Sequence, residues 1–223
     1  MHPHRGIETV SYVYKGRMVH KDTLGNEDEI SDGEVQWMNS GSGIEHEEKI
    51  PAAERLLEVQ VWLKRPKSAK MSKPTYHSIR KSDIEEIEFD RGKRRILTGN
   101  YKSYQGYKGD HLPLNYYDIH MYENAEITLD TLEDTSVMIF TLIGDVYVGG
   151  ERIKEKTAVK LTSGNEIIIK NADKFAQVLF IESKALNEPV AWAGPIVMNT
   201  QEEIREAYID LHNATFIKDN IRY

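Results

Sequence analysis

Residues 1–16 read MHPHRGIETVSYVYKG and carry the clearest signal in the chain. His2 and His4 stand one residue apart, directly before a run of β-branched and aromatic residues that predicts a strand. Side chains at positions i and i+2 of a strand point to the same side, so the two imidazoles would face one point. That arrangement is half of a metal site.

The other half follows in residues 41–48, GSGIEHEE, where His46 and Glu48 repeat the same spacing after a glycine turn. Three neutral imidazoles and one carboxylate suit a borderline divalent metal, so Fe(II), Mn, Co, Ni, Cu and Zn are candidates. Four such ligands leave one side of the ion open, unlike a closed structural zinc site. Glu8 is a rival carboxylate, because a regular strand would place it on the same face as His2 and His4.

The other histidines give weaker signals. We interpret His20 and His77 as surface or edge residues, and His120 as a hydrogen-bonded core residue. No nucleophile elbow, phosphate-binding glycine loop or dinucleotide fingerprint is found in the sequence.

Composition excludes several classes of protein. The chain has 223 residues, a net charge of −7 and no cysteine. A basic excess that would neutralise phosphates is missing, which argues against direct nucleic-acid binding. Disulfides, thiolate metal sites and cysteine nucleophiles are excluded. No apolar run reaches the roughly 20 residues that span a bilayer, and no signal peptide is recognised. We therefore expect a cytoplasmic protein without membrane contact.

Short strands with turn signals about every 8–12 residues predict an all-β fold of barrel or jelly-roll type. They run through residues 7–64 and again through 114–183. Between them, residues 65–75 (RPKSAKMSKPT) predict a solvated linker, with a contact surface for an acidic partner as the alternative. Residues 82–89 (SDIEEIEF) predict one helical turn capped by Ser82.

A helix is predicted near the end of the chain, over residues 200–212 (TQEEIREAYIDLH). Thr200 and Glu203 have the spacing of a capping box. An apolar stripe at helical spacing predicts the buried face: Ile204, Ala207, Tyr208 and Leu211.

The two halves of the chain look like duplicates of one barrel unit. Gly16 and Gly33 precede strands in the first half, and Gly144 and Gly164 do so in the second. Aligned on these glycines, the second half places Asp130 and Leu132 opposite His2 and His4, and Gln177 and Leu179 opposite His46 and Glu48. The duplication therefore predicts that only the N-terminal barrel has a metal site.

Three segments resemble the pirin family of the cupin superfamily: residues 2–13 (HPHRGIETVSYV), 31–48 (SDGEVQWMNSGSGIEHEE) and 188–216 (EPVAWAGPIVMNTQEEIREAYIDLHNATF). The resemblance runs from residue 2 to about residue 64, weakens through the linker and returns at Gly144–Val148 and Glu188–Phe216. It implies a bicupin of two stacked antiparallel β-barrels with a short C-terminal helix. The domains would be an N-terminal cupin barrel (1–64), a linker with connecting strands (65–110), a metal-free C-terminal cupin barrel (111–186) and a C-terminal segment with the helix (187–223).

The resemblance also implies a site and a function. The family binds Fe(II) through three histidines and a glutamate, which correspond to His2, His4, His46 and Glu48, while Glu8 is not usually a ligand. Some pirins act as quercetin 2,3-dioxygenases on flavonols, and Glu48 would then be the base for the 3-hydroxyl proton. Other pirins are metal-responsive regulators that bind protein partners, and a degenerate member without metal function is a third interpretation.

Pirins normally carry about fifty residues before HPHRG, so the ligand-bearing strand here lies at a chain end, where fraying is expected. We expect either a weakened metal site, a second subunit that covers the exposed barrel edge in a homodimer, or a true start that lies upstream.

Overall fold

The structure, a computed structural model, describes residues 1–218, and chain contacts divide it into two compact units. Unit 1 comprises Met1–Lys81 together with the chain from Leu186 onward, and unit 2 comprises Ser82–Ala185. The segment 65–110 is thus divided between the two units, and the C-terminal segment belongs with the N-terminal barrel. The last five residues of the predicted C-terminal segment lie outside the described residues.

Unit 1 contains two four-stranded antiparallel sheets, ordered β1-β6-β3-β4 and β7-β2-β5-β8. The strands are β1 (His2–His4), β2 (Ile7–Lys15), β3 (Arg17–Asp22), β4 (Glu27–Ser31), β5 (Glu34–Asn39), β6 (Ile44–Lys49), β7 (Leu57–Lys64) and β8 (Thr75–Ile79). One end of the interior holds an apolar cluster of Val13, Met18 and Ile30. The facing sides of β1, β3 and β6 carry polar side chains instead.

Unit 2 contains a four-stranded sheet ordered β14-β19-β16-β17, a six-stranded sheet ordered β18-β15-β20-β13-β10-β9, and the small pair β11-β12. The strands are β9 (Glu85–Phe89), β10 (Gly92–Thr98), β11 (Asn100–Tyr101), β12 (Tyr104–Gln105), β13 (Leu114–Tyr122), β14 (Glu126–Asp130), β15 (Thr135–Ile143), β16 (Val146–Val148), β17 (Glu151–Ile153), β18 (Ala158–Lys160), β19 (Glu166–Asn171) and β20 (Phe175–Lys184). The interior between its two larger sheets is apolar, with Leu129, Ile139, Ile167 and Ile169 in one buried cluster.

The predicted duplication is present in the strand order. The pairings among β1–β7 recur among β14–β20, including β1 with β6 and β14 with β19, and β2 with β5 and β15 with β18. The bulge between Val13 and Lys15 in β2 recurs between Thr141 and Ile143 in β15, so Gly16 matches Gly144 as predicted.

The predicted register of the second alignment is wrong. His20 pairs with Glu48 in β3 and β6, whereas the matching Val148 pairs with Ile169 in β16 and β19. Because Glu48 therefore corresponds to Ile169, the counterpart of Gly164 is Gly43 and not Gly33. The residues that occupy the positions of the candidate ligands are therefore Leu129 for His2, Thr131 for His4, Ile167 for His46 and Ile169 for Glu48. None of these four side chains is a metal ligand of the predicted kind.

The C-terminal segment packs on unit 1 as a hairpin and a helix: β21 (Ala191–Ala193), β22 (Ile196–Met198) and α1 (Gln201–His212). The capping box of Thr200 and Glu203 is present as predicted. Ile204 and Ala207 are buried against β22 and Phe216. Tyr208 is 44% exposed, so the predicted apolar stripe is wrong at this position. In the part of the chain that is described, no helix is both long and apolar enough to cross a membrane.

Two local predictions for the middle of the chain are wrong. The segment 65–75 is not a fully solvated linker, since Arg65 and Lys70 are buried. Lys70 donates from Nζ to the carbonyl oxygens of Gly6 (2.7 Å) and Val197 (2.6 Å), which compensates for burying its ammonium. Near Ser82 the structure has a 3₁₀ turn at Lys81–Asp83, and Glu85–Phe89 is the edge strand β9.

Candidate metal centre

Strand pairing brings the two predicted ligand pairs together. In the antiparallel pair β1-β6, His2 lies directly opposite His46, and His4 lies opposite Ile44. Alternation along each strand then places His2, His4 and His46 on one face of the sheet. One ring nitrogen from each of the three histidines lies within 4.8 Å of the others. Three imidazoles are thus gathered around one point, as the spacing predicts.

The ring of His4 is oriented by the turn between β21 and β22. Its Nδ1 lies 3.0 Å from the Pro195 carbonyl oxygen, which can only accept a hydrogen bond. The proton is therefore on Nδ1, and Nε2 carries a lone pair, 3.0 Å from Nε2 of His2. Burial lowers the pKa of His4 to about 4, so the ring is neutral at neutral pH.

His46 is oriented by a buried chain of hydrogen bonds. Its Nδ1 lies 3.4 Å from Nδ1 of His20, and Nε2 of His20 lies 2.9 Å from Oδ2 of Asp22. The Asp22 carboxylate can only accept, so Nε2 of His20 donates; in the neutral tautomer of His20 that this requires, Nδ1 accepts from His46. Nε2 of His46 is left with its lone pair. This atom is buried and has no hydrogen-bond partner among the described residues.

Burial and the neighbouring histidines His2, His4 and His20 lower the pKa of His46 to about 2. Burying the lone pair of a neutral imidazole without a hydrogen-bond donor destabilises the folded protein. This arrangement is the one that a metal ligand needs, since a ligand nitrogen must be deprotonated and its other nitrogen held by an acceptor.

Glu48 lies beside this group of rings. Its Oε1 is 3.9 Å from Nδ1 of His46 and accepts a hydrogen bond of 3.0 Å from Nε2 of Gln36. Nε2 of Gln60 lies 3.4 Å from both carboxylate oxygens. Glu48 forms a second candidate group with His20 and His46, and it is not part of the group formed by His2, His4 and His46. His46 is the member that joins the two.

Glu8, the rival carboxylate, is placed elsewhere. Its Oε2 accepts a hydrogen bond of 2.6 Å from Nε1 of Trp37, and its Oε1 lies 3.8 Å from the Arg65 guanidinium. Both Glu8 and Arg65 are buried, so this pair is a buried ion pair within the sheet. Glu8 is in neither candidate metal group.

The prediction that His20 is a surface or edge residue is wrong. Its side chain is fully buried, stacks on Tyr76 with ring centroids 4.3 Å apart, and contacts His46. The sequence contains a signal for this role that spacing arguments could have used. His20 and Asp22 are a third i, i+2 pair of polar residues, next to the strand that bears His46. His77, in contrast, is exposed on β8 as expected.

The segment that carries His2 and His4 is anchored on its C-terminal side. Gly6 has φ of +78°, and a Cβ atom there would collide with the Val197 carbonyl oxygen, so only glycine fits this close approach. Arg5 donates to the Ser42 carbonyl (2.6 Å) and forms an ion pair with Asp210 (2.8 Å). Residues from the turn before β6, from β22 and from α1 thus fix where the two histidines lie.

The donor set fits a first-row divalent metal ion. The fit rests on the three convergent imidazoles, the carboxylate beside them and the buried Nε2 of His46, which has no hydrogen-bond partner among the described residues. Trp62 flanks the centre, with its ring edge-on to His4 at 5.4 Å between centroids, and it is 42% exposed.

Comparisons with known proteins agree with this arrangement. A family profile described as Pirin matches residues 1–63, and one described as Pirin C-terminal cupin domain matches residues 116–217. A Thermoplasma acidophilum protein, provisionally named a quercetin 2,3-dioxygenase, is 34% identical over 98% of this chain and 92% of its own length. The crystal structure of quercetin 2,3-dioxygenase from Acinetobacter baumannii superposes with a TM-score of 0.90 at 35% identity, covering 96% of this chain and 77% of that one.

A third relative was solved with a metal ion. The bacterial pirin YhhW from Escherichia coli, in complex with nickel(II), has a TM-score of 0.63 and 22% identity, and the match covers 81% of this chain and 74% of that one. At this identity the likeness concerns the fold alone. The profile matches, the 34% identity over nearly the whole chain and the bicupin strand order together show that the chain belongs to the pirin family.

Proposed function

We propose that the chain is a metal-dependent dioxygenase of the quercetin 2,3-dioxygenase type. His2, His4, His46 and Glu48 would hold one metal ion, for which we prefer Fe(II). The observation that carries the proposal is the convergence of the imidazoles of His2, His4 and His46, together with the buried Nε2 of His46, which has no hydrogen-bond partner among the described residues. The names of the Thermoplasma and Acinetobacter relatives support the substrate class, and the nickel complex of YhhW supports a divalent metal.

When bound, Fe(II) would supply Lewis acidity and one-electron chemistry. The side chains of the protein supply positioning and proton transfer. Glu48 accepts the proton of the flavonol 3-hydroxyl, and its hydrogen bonds from Gln36 and Gln60 hold the carboxylate in place for this step. The exposed ring of Trp62 beside His4 offers an aromatic surface to a flat aromatic substrate.

Oxygen consumption tests the enzymatic proposal. Protein loaded with Fe(II) is mixed with quercetin, and dioxygen uptake is followed with an electrode. We expect uptake with the loaded wild type and none with His46→Ala. Bound iron without uptake would eliminate the dioxygenase function for this substrate and leave the metal-responsive regulator, acting through protein partners, as the surviving interpretation.

The ligand assignment is tested separately by metal analysis of freshly purified protein. We expect His46→Ala to lose most of the bound metal, because His46 belongs to both candidate groups and the change removes its imidazole. His77→Ala is the matched control, since His77 is exposed on β8. Equal metal content in His46→Ala and wild type would refute the assignment.

A further inference from the structure

Unit 2 contains a cavity of about 480 Å³ that lies where unit 1 has its candidate metal centre. The structural match of the repeats establishes the correspondence. Among the cavity-lining residues, Thr131 corresponds to His4, Val148 to His20 and Ile167 to His46.

A fourth correspondence places Val159 at the position of Gln36, the residue that holds Glu48. Ser11 pairs with Gln36 in β2 and β5, and its counterpart Ile139 pairs with Val159 in β15 and β18. The polar set of unit 1 is thus replaced almost entirely by aliphatic side chains, several of which line the cavity of unit 2.

The chemistry of the lining defines the class of ligand. The walls are aliphatic, with Val137, Val148, Val159, Leu161 and Ile167 among them. Val148, Val159 and Leu161 are only partly buried, so a ligand that covers them removes further apolar surface from water. The volume lies within the range of about 300–1,000 Å³ that is typical of small-molecule sites.

Apart from Thr131, the polar residues that line the cavity are exposed and mark its mouth. Thr162 and Ser163 are on the loop before β19, and Glu151 and Glu166 are exposed beside them. Two carboxylates at the entrance repel an anion, and the aliphatic walls offer no partner for a charge. The lining therefore favours an uncharged ligand.

We infer that unit 2 binds an uncharged, largely apolar small molecule in this cavity, at the place where unit 1 holds its candidate metal centre. The inference does not depend on the proposed dioxygenase function, because none of the lining residues belongs to the candidate metal centre. The duplicated barrel then has two different sites, one for a metal ion and one for an apolar ligand.

Fluorescence titration with N-phenyl-1-naphthylamine, an uncharged apolar probe, tests the inference on the full chain. We expect saturable binding to the wild type at one site per chain. Val159→Phe fills the cavity from its wall and should weaken binding by about tenfold or more. Ser163→Trp places a large ring at the mouth from an exposed loop and should weaken binding in the same direction. Both variants should retain the metal content of the wild type.

Val190→Phe is the matched control, because Val190 is 62% exposed and lies in unit 1. It should bind the probe as the wild type does. If circular dichroism shows that Val159→Phe does not fold, Ser163→Trp decides. No saturable binding to the wild type, or undiminished binding in the folded cavity variants, would overturn the inference.

Discussion

The tautomer of His46 depends on two residues that do not belong to the predicted ligand set. Asp22 accepts from His20, and His20 in turn accepts from Nδ1 of His46, which leaves Nε2 free. Replacing His20 by phenylalanine keeps an aromatic ring against Tyr76 but removes the acceptor. Loss of such a supporting contact typically costs about 10–100-fold in metal affinity. We therefore expect His20→Phe to weaken metal binding by this factor.

A competition assay with a chromophoric chelator and Co(II) measures this change. His77→Phe is the matched control, because the same substitution is made at an exposed position of β8. The expected loss should appear in dissociation constants while His2, His4 and His46 are all still present. Unchanged affinity in a folded His20→Phe variant would mean that the hydrogen bond to His46 does not support metal binding.

Local spacing predicted that the histidine pairs converge, but it did not predict His20 and Asp22, which orient His46. His-x-His and His-x-Glu are visible as residue pairs, and a strand requires each pair to share a face. The burial of His20 comes from the pairing of β3 with β6, a contact between residues 28 positions apart in the case of His20 and Glu48. A prediction from short segments cannot find such a contact, because it does not include the pairing of the two strands.

Within unit 1, an ion pair joins Asp210 of helix α1 to Arg5, the residue that follows His4. Burial tends to raise the pKa of Asp210, but hydrogen bonds from Lys218, Arg5 and Thr215 outweigh it and lower the value to about 2. A depressed carboxylate pKa stabilises the fold at pH values above the ordinary value of 3.8, and that stability is lost as the pH falls towards 2.

We expect Asp210→Asn to lower the free energy of unfolding at pH 7 by about 1–3 kcal/mol, because the buried Arg5 guanidinium loses its charged partner. Arg5 keeps its hydrogen bonds to the carbonyl oxygens of Ser42 and Phe216, which limits the loss. The variant should also lose less stability than the wild type between pH 4 and 2. Urea unfolding at several pH values measures both effects.

Glu206→Gln is the control for this substitution, because Glu206 is an exposed carboxylate on the same helix. It should leave the unfolding free energy and its pH dependence close to those of the wild type. If Asp210→Asn behaves like this control at pH 7 and at pH 3, the ion pair does not anchor the helix.

Strands with alternating apolar residues and the helix with a capping signal could be predicted from the sequence. The strands β9 and β10 could not, because their sequences contain many charged residues. Residues 92–98 (GKRRILT) look solvated, yet Arg94 and Arg95 are buried in β10. Arg94 stacks over the Tyr101 ring at 3.6 Å, and Arg95 donates to Glu86 of β9 at 2.9 Å. Charged residues were buried here because partners on other strands compensate for their desolvation, and local composition cannot show those partners.

For the whole molecule, the sequence predicted the duplicated barrel and the asymmetry between its halves, although the register was wrong. Glycines are common before strands, so Gly33 and Gly43 compete as the partner of Gly164, and only the strand pairing selects Gly43. The interiors of the two units differ in the polarity of the side chains at corresponding positions. Unit 2 has Leu129, Ile167 and Ile169 where unit 1 has His2, His46 and Glu48, and each fully buried aliphatic side chain contributes about 1.5–3 kcal/mol.

This asymmetry predicts that metal binding stabilises one barrel selectively. At a free metal concentration about 100 times the dissociation constant, binding adds about 2.7 kcal/mol to the unfolding free energy of whatever unit holds the ion. Amides of β1, β3 and β6 that exchange through unfolding of unit 1 should then exchange about 100-fold more slowly. Amides of β14, β16 and β19 should change far less, since those strands have no ligand set.

Hydrogen–deuterium exchange with mass spectrometry, with and without metal, resolves the two units by peptide. His46→Ala serves as the control, because its exchange should not respond to the metal. Metal analysis should give one ion per chain, because unit 2 has aliphatic side chains at positions that correspond to the candidate ligands of unit 1. Two ions per chain would show that unit 2 also binds metal, despite having Leu129, Ile167 and Ile169 at the positions of the candidate ligands. Equal protection of β16 and β3 would show that the metal does not stabilise unit 1 selectively, and it would contradict the prediction as well.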